Sequence, residues 1–289
     1  LRNALSQAQA GIMSTGAVNN RDLAGTRIWI TGASSGIGAE LAAQLAQNGC
    51  HVIVSARRVE ALSQLQQRYP GNIDVIACDV SSEHDMRAAA TELARRYNSL
   101  DALVINAGVC EYIDVGAGDW PLDVQSMRRV FDVNVFGAVH AVNAALPLLR
   151  RARSENPDRR PLIAGVTSLS TYTAFPRAEA YGASKAALRY FLEALRTDIA
   201  HEGIDVTVIS PGFVATPLTA QNDFPMPAMI DAAQAAREVM KALQTHPLEH
   251  AFPFSLTLAL RLARAFPSLW YRHVAPKMSR ATKIDGSKS

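Results

Sequence analysis

The stretch that decides the fold is Arg27-Ile-Trp-Ile-Thr31 running directly into Gly32-Ala-Ser-Ser-Gly36-Ile-Gly38. A short apolar run rich in strand formers ends in a glycine turn, and helical periodicity starts inside that turn, so the order is strand, turn, helix. Glycines at 32, 36 and 38 let a phosphate approach the backbone without meeting a Cβ. The helix amino end adds unpaired N–H groups and a favourable dipole. Many tight turns need glycine and bind nothing, but this placement favours a dinucleotide held by Gly32, Ser34, Ser35, Gly36, Ile37 and Gly38.

Working outward, β-branched runs alternate with longer helical stretches, the pattern of successive βαβ units. Strands are predicted at Arg27–Thr31, His51–Ser55, Asp74–Cys78, Ala102–Asn106, Leu162–Thr167 and Asp205–Ser210, with a short seventh around Glu249–Phe252. Most are continuous apolar runs, as strands covered on both faces should be. Helices are predicted at Ile37–Asn48, Val59–Tyr69, Ser82–Tyr97, Leu122–Arg150, Ala180–His201 and Asp231–Gln244, and the charged, proline-containing Arg150–Pro161 reads as a solvated loop. The expected class is α/β: a Rossmann-type, doubly wound, mainly parallel sheet of six or seven strands with helices on both faces. A flexible tail over 1–22, a catalytic domain over 23–253 and an amphipathic extension with a polar tail over 254–289 complete the predicted organisation.

Composition narrows the function. Of 289 residues, 48% are hydrophobic and 19% charged, enough for a large core. A net charge of +3 and an aromatic content of 7% give no basic or stacking surface for nucleic acid. Cys50, Cys78 and Cys110 are odd in number and far apart, and the seven His form no ligand pair, so neither a disulfide framework nor a catalytic metal is expected. Leu1–Asn20 lacks the apolar run of a secretory signal, which points to a cytoplasmic location.

At the end of the second strand the chain reads Ser55-Ala56-Arg57-Arg58, with no carboxylate to meet the ribose hydroxyls of NAD. Arg57 can instead meet the 2′-phosphate of NADP, with Arg58 adding to it. NADP(H) is therefore expected over NAD(H). Tyr181-Gly-Ala-Ser-Lys185 puts a phenol and an ammonium on one helix face. A free phenol titrates near pH ~10, so proton transfer at neutral pH needs nearby positive charge.

The spacing Thr-Gly-x-x-x-Gly-x-Gly, with Tyr-x-x-x-Lys downstream, resembles the short-chain dehydrogenase/reductase family, and the likeness runs from Leu23 to Thr219. That resemblance implies hydride transfer between nicotinamide and a small-molecule carbonyl or alcohol. It implies that Tyr181 donates the proton, that Ser168, thirteen positions earlier, polarises the carbonyl, that Lys185 binds the nicotinamide ribose, and that Asn134 steadies a water relay to the lysine. Asp79 and Val80 would meet adenine, and Asn106, Ala107 and Gly108 would form the cofactor-supporting turn; Ile105 stands where the family commonly has a second Asn. Pro211 and Gly212 would flank nicotinamide, with the Val214 backbone and Thr216 hydroxyl on its carboxamide. A homodimer or homotetramer is expected.

Two other classes compete: a cofactor-binding sensor on the same fold, and a membrane-surface interaction protein. Asn134, Ser168, Tyr181 and Lys185 together count against a sensor, which needs no proton relay. The stretch Leu218–Ile230 reads as a partly hydrophobic lid, although core packing explains Phe224 and Met226 nearly as well. Phe254–Val274 reads as an amphipathic element interrupted by Arg261 and Arg264 and broken at Pro267. It is expected to cap the cleft or form an interface, with peripheral membrane contact as the competing role. Either case fits a hydrophobic substrate.

Overall fold

A parallel sheet of seven strands carries the molecule. The computed structural model describes residues 21–113, 115 and 122–278; the tail expected over Leu1–Asn20 and the polar end over 279–289 lie outside the described residues. In chain order the strands are β1 (Arg27–Thr31), β2 (His51–Ser55), β3 (Ile73–Val75), β4 (Ala102–Ile105), β5 (Leu162–Val166), β6 (Asp205–Pro211), β7 (Val214–Ala215), β8 (Ile230–Asp231) and β9 (Glu249–Phe252). The sheet order is β3-β2-β1-β4-β5-β6-β9, every pairing parallel, and β7 and β8 form a separate parallel pair. The chain winds one way from β1 to β3 and the other way from β4 onward. Such a reversal opens a crevice at the carboxyl ends of β1 and β4.

Period-two alternation divides the core into two layers. Ile28, Ile30, Val52 and Val54 face α1 (Gly36–Gln47), α2 (Val59–Arg68) and α7 (Ala232–Thr245), in one cluster with Leu41, Leu45, Leu62, Val239 and Leu243. Trp29, Ile53, Leu103 and Ile163 face the other way, against Leu93 of α3 (Glu83–Arg96), Leu148 of α5 (Gly137–Glu155) and Leu192 of α6 (Glu179–Ile199). The buried Trp29 indole donates to Ser55 Oγ at 2.9 Å, and that hydroxyl donates to the Ile76 carbonyl at 2.6 Å, so the indole N–H and the Ser55 hydroxyl are both paired within the core. At Gly165 a Cβ would fall 2.2 Å from Leu192 Cδ1. Its absence lets α6, the helix of Tyr181 and Lys185, lie directly on β5.

Three predicted elements differ from the structure. The third strand pairs only over Ile73–Val75, not Asp74–Cys78. The chain beyond Val75 keeps donating to β2, with Ile76 N to Val54 O at 3.1 Å and Cys78 N to Ala56 O at 3.3 Å, but leaves the regular ladder. The predicted helix Leu122–Arg150 is three pieces: α4 (Val124–Phe131), a π turn at Asp132–Phe136, and α5. Asp123 sets its start by accepting from Gln125 N and Ser126 N at 2.9 and 3.0 Å. The solvated loop begins only after Glu155, because Ala152 is buried and Arg150 pairs with Glu202, holding the last turn against the fold.

Beyond β9 the chain forms α8 (Phe254–Ala265), breaks at Phe266-Pro267 as a proline dictates, and turns back over Trp270–Met278. Leu260, Trp270 and Ala275 bury against Leu169 and Tyr172.

Candidate active site

The glycine turn is held from the far side of the crevice. Asn106 Nδ2 donates to the carbonyls of Thr31 and Gly32 at 3.1 and 2.9 Å, and Thr31 Oγ1 accepts from the backbone of Asn106 and Ala107. Gly32 adopts φ +71°, and a Cβ there would lie 2.5 Å from Ala107 Cα. Gly38 does not line the cleft, contrary to its expected contact role. A Cβ on it would meet Asn106 Nδ2 at 2.5 Å and the Gly32 carbonyl at 2.6 Å, so this glycine makes room for the turn itself.

The cleft above the turn holds about 340 Å³ and is lined by the other residues expected to contact the cofactor: Gly32, Ser34, Ser35, Gly36, Ile37, Arg57, Arg58, Asp79, Val80, Asn106, Ala107, Gly108, Tyr181, Lys185, Pro211, Gly212, Val214 and Thr216. The amino end of α1 opens into it without a side-chain cap or an acidic residue in its first turn. By contrast, Ser82, Asp123 and Asp231 cap α3, α4 and α7. Unpaired N–H groups and a bare dipole fit a pyrophosphate. Arg58 reaches over the same turn, 3.1 Å from Ser34 Oγ and 2.9 Å from Ser35 Oγ. Arg57 stands further out, 3.8 Å from Asp79 Oδ2. The cation nearest the turn is thus Arg58 rather than Arg57. Asp79 lies four residues past β3, its Oδ1 accepting from Ser81 N and Oγ at 2.9 and 2.7 Å. Thr216 N donates to Thr219 Oγ1 at 3.0 Å, and the same Thr219 hydroxyl donates to the Val214 carbonyl at 2.6 Å, fixing the loop that follows β7.

Tyr181 and Lys185 enter from the first turns of α6. Lys185 is buried and donates to the Val166 carbonyl at 2.9 Å, with its Nζ 6.0 Å from the Tyr181 ring centre. Burial lowers its ammonium to about 8, a fall that the Cys110 thiol opposes. Burial pushes the Tyr181 phenol up to about 12; Cys110 adds to that rise and the Ser168 hydroxyl counters it. At neutral pH the phenol therefore carries its proton. Ser168 leaves β5 in an extended conformation, accepting from Ser170 N at 3.1 Å.

Asn134 is fully buried in the π turn and lines neither this cleft nor the larger cavity beside it. Its Oδ1 accepts from Val109 N at 2.8 Å, and its Nδ2 donates to Val109 O at 3.0 Å and Ser184 Oγ at 2.9 Å. Its side chain positions the Gly108-Val109 turn beside Lys185. A Cβ on Gly108 would lie 3.1 Å from Lys185 Nζ and 3.3 Å from Asn134 Oδ1.

Tyr181 also lines a second, larger cavity of about 720 Å³, together with Ser168. Its walls are mainly apolar: Leu169, Phe175, Phe213, Phe224, Leu256 and Leu260 among them. The expected lid contributes Phe224, which meets Tyr112 and Phe213 edge-on, while Met226 lies outside the lining and accepts from Asn222 Nδ2. The C-terminal segment contributes Leu256 and Leu260 and so caps this cavity.

Several contributors were not singled out from the sequence. Cys110 and Tyr112, just past the Asn106–Gly108 turn, line the larger cavity, and Tyr112 Oη donates to Asn222 Oδ1 at 2.6 Å, tying that wall to the lid. Glu249 gathers Arg189 at 2.6 Å, Tyr172 at 2.7 Å and Ser210 at 3.0 Å, and Ser210 Oγ lies 3.0 Å from Thr167 Oγ1. These bonds join the ends of β5, β6 and β9 behind Ser168 and Gly212. An acidic residue opening the short strand Glu249–Phe252 was the available signal for Glu249.

The comparisons agree with this geometry. An uncharacterized oxidoreductase of Myxococcus xanthus is 34% identical over 248 residues, spanning 83% of this chain and 92% of that protein. The 11-beta-hydroxysteroid dehydrogenase A of Sesamum indicum is 35% identical over 208 residues, 71% of this chain, and the match spans only 57% of that longer relative. Among solved structures, the Pseudomonas aeruginosa RhlG/NADP active-site complex superposes with a TM-score of 0.71 at 29% identity, covering 81% of this chain and 95% of that one. The family model for short chain dehydrogenase matches residues 26–225, the stretch that contains the glycine turn, Ser168, Tyr181 and Lys185. On these grounds the chain belongs to the short-chain dehydrogenase/reductase family, NAD(P)(H)-dependent oxidoreductases acting on CH–OH and C=O groups.

Proposed function

We propose that this chain reduces a bulky, apolar carbonyl compound with NADPH, and oxidises the corresponding alcohol in reverse. The observation that carries this is the position of Tyr181, which lines both the polar cleft and the apolar cavity. A carbonyl placed in the larger cavity would lie between the phenol and the Ser168 hydroxyl. When bound, the nicotinamide supplies or takes the hydride. Tyr181 gives its proton to the carbonyl oxygen, Ser168 donates a hydrogen bond to the same atom, and the Lys185 ammonium stabilises the phenolate left behind. A protonated phenol at neutral pH is the state that reduction consumes. The name of the sesame relative supports a rigid polycyclic ketone as one substrate class, and the cavity volume supports a bulky one. Phe136 and Tyr190 stand exposed near α5 and α6, which supports a homo-oligomer.

NADPH is preferred in this proposal because Arg57 and Arg58 are the cations that line the cleft just past β2 and no carboxylate ends that strand. Removing one charge-assisted bond costs about 1.5–3 kcal/mol, so NADPH is expected to bind at least roughly tenfold tighter than NADH. Arg58→Ala and Arg57→Ala should each erode that ratio, and the double variant should abolish it. Titration of both cofactors, followed by a panel of apolar ketones monitored by nicotinamide absorbance, checks both parts. Equal affinities in the unsubstituted protein would remove the NADP preference; turnover only of small polar carbonyls would remove the substrate class.

A further inference from the structure

The C-terminal segment has two faces, and the fold uses one. On α8, Leu256 and Leu260 wall the substrate cavity. The other side of the segment is exposed: Phe254, Leu258, Leu262 and Phe266 recur every four residues, and Leu269, Tyr271 and Val274 extend the surface past the Pro267 break. Phe254 is 79% exposed and Phe266 58%, far more than an apolar side chain needs to be on a helix that already has a core face. A contiguous apolar surface of this kind marks an interaction site.

Charge decides what covers it. Residues 254–278 contain Arg261, Arg264, Arg272 and Lys277 and no Asp or Glu. Arg261 turns inward, 3.5 Å from Glu249, and Lys277 lines the cavity, whereas Arg264 and Arg272 are exposed and make no ion pair among the described residues. A two-fold contact between identical copies would press these cations against one another in a partly dehydrated interface. An anionic lipid surface meets both features, taking the apolar side chains at the acyl boundary and the cations at the headgroups.

We propose that the outer face of α8 and the turn following it docks the protein on an anionic lipid surface. The helix that touches lipid is then also a wall of the catalytic cavity, so an apolar substrate dissolved in the bilayer has a short route to Tyr181. Lipid binding is read without turnover, so its failure is separate from any failure of the proposed reaction.

The test is flotation of the full chain with vesicles of phosphatidylglycerol and phosphatidylcholine, against phosphatidylcholine alone. Co-flotation with the anionic vesicles and little with the neutral ones is expected. Arg264→Gln with Arg272→Gln should weaken apparent affinity roughly fivefold per charge removed. Leu258→Gln, Leu262→Gln and Phe266→Ser together should abolish co-flotation while leaving the melting temperature and the turnover of a water-soluble carbonyl unchanged. Absence of co-flotation by the unsubstituted chain would overturn the proposal, as would co-flotation indifferent to the triple variant. A dimer that the triple variant dissociates, with no lipid binding, would assign the face to a second copy instead.

Discussion

Replacement of Tyr181 by Phe is expected to lower kcat for carbonyl reduction by about 10³-fold, the contribution of a well-placed general acid, with cofactor affinity nearly unchanged. The substitution deletes only the hydroxyl. The ring remains, and with it the face presented to Lys185 at 6.0 Å. Lys185→Ala should behave differently. It removes the donor to the Val166 carbonyl and the cation beside Gly108, so both kcat and cofactor binding should fall. Steady-state rates with a confirmed substrate, paired with cofactor titrations, separate the two patterns. Wild-type turnover by the Phe variant would show that another group delivers the proton.

The direction of pH dependence follows from the same residue. Because burial holds the Tyr181 phenol at about 12, its protonated form persists through neutral pH and reduction should not fall there for want of a proton. Oxidation consumes the phenolate, whose fraction rises with pH towards that value, so the reverse reaction should gain as pH rises.

How much of this was legible in the sequence varied with the range of the interactions. The strands read correctly where continuous apolar runs met clear turns, because two-sided burial leaves that pattern whatever packs on it. The third strand was read too long, since Ile76 and Cys78 are buried like strand residues while the chain there has left the ladder. The π turn at Asn134 has no local signature in Asp-Val-Asn-Val-Phe; it becomes visible only once Val109 and Ser184 are seen to hold the Asn side chain. The order of Arg57 and Arg58 over the cleft depends on which guanidinium reaches Ser34 and Ser35, a matter of side-chain direction rather than of spacing. Motif residues were readable because glycines and Tyr-x-x-x-Lys carry their chemistry locally. The wall of the larger cavity was legible only in part: Phe224 falls in the expected lid and Leu256 in the segment expected to cap the cleft, whereas Tyr112 and Phe213 join them from other segments without a local signal.

Gly32→Ala is expected to be the most damaging single-methyl change in the cofactor cleft. Two costs combine. The residue holds φ +71°, where an L side chain is disfavoured by roughly 1–2 kcal/mol. The new Cβ would also stand 2.5 Å from Ala107 Cα and 2.8 Å from Ala107 N, which are backbone atoms with no rotamer to change. Overpacking of this kind costs about 1–3 kcal/mol, and relief by displacement would pull Asn106 from the Thr31 and Gly32 carbonyls. A total near 3 kcal/mol lowers the melting temperature of a chain this size by about 6–12 °C. Cofactor binding should be lost with it, because the turn cannot move away from Ala107 and still present its N–H groups to the cleft. Gly71→Ala is the matched control: φ is +84°, but nothing lies within 4 Å of the added Cβ, so only the backbone cost applies. Thermal melts of both variants, with cofactor titration of each, isolate the contact term. If Gly32→Ala melted with Gly71→Ala and still bound cofactor normally, the tight approach of the glycine turn to Ala107 would have no role in shaping the cleft.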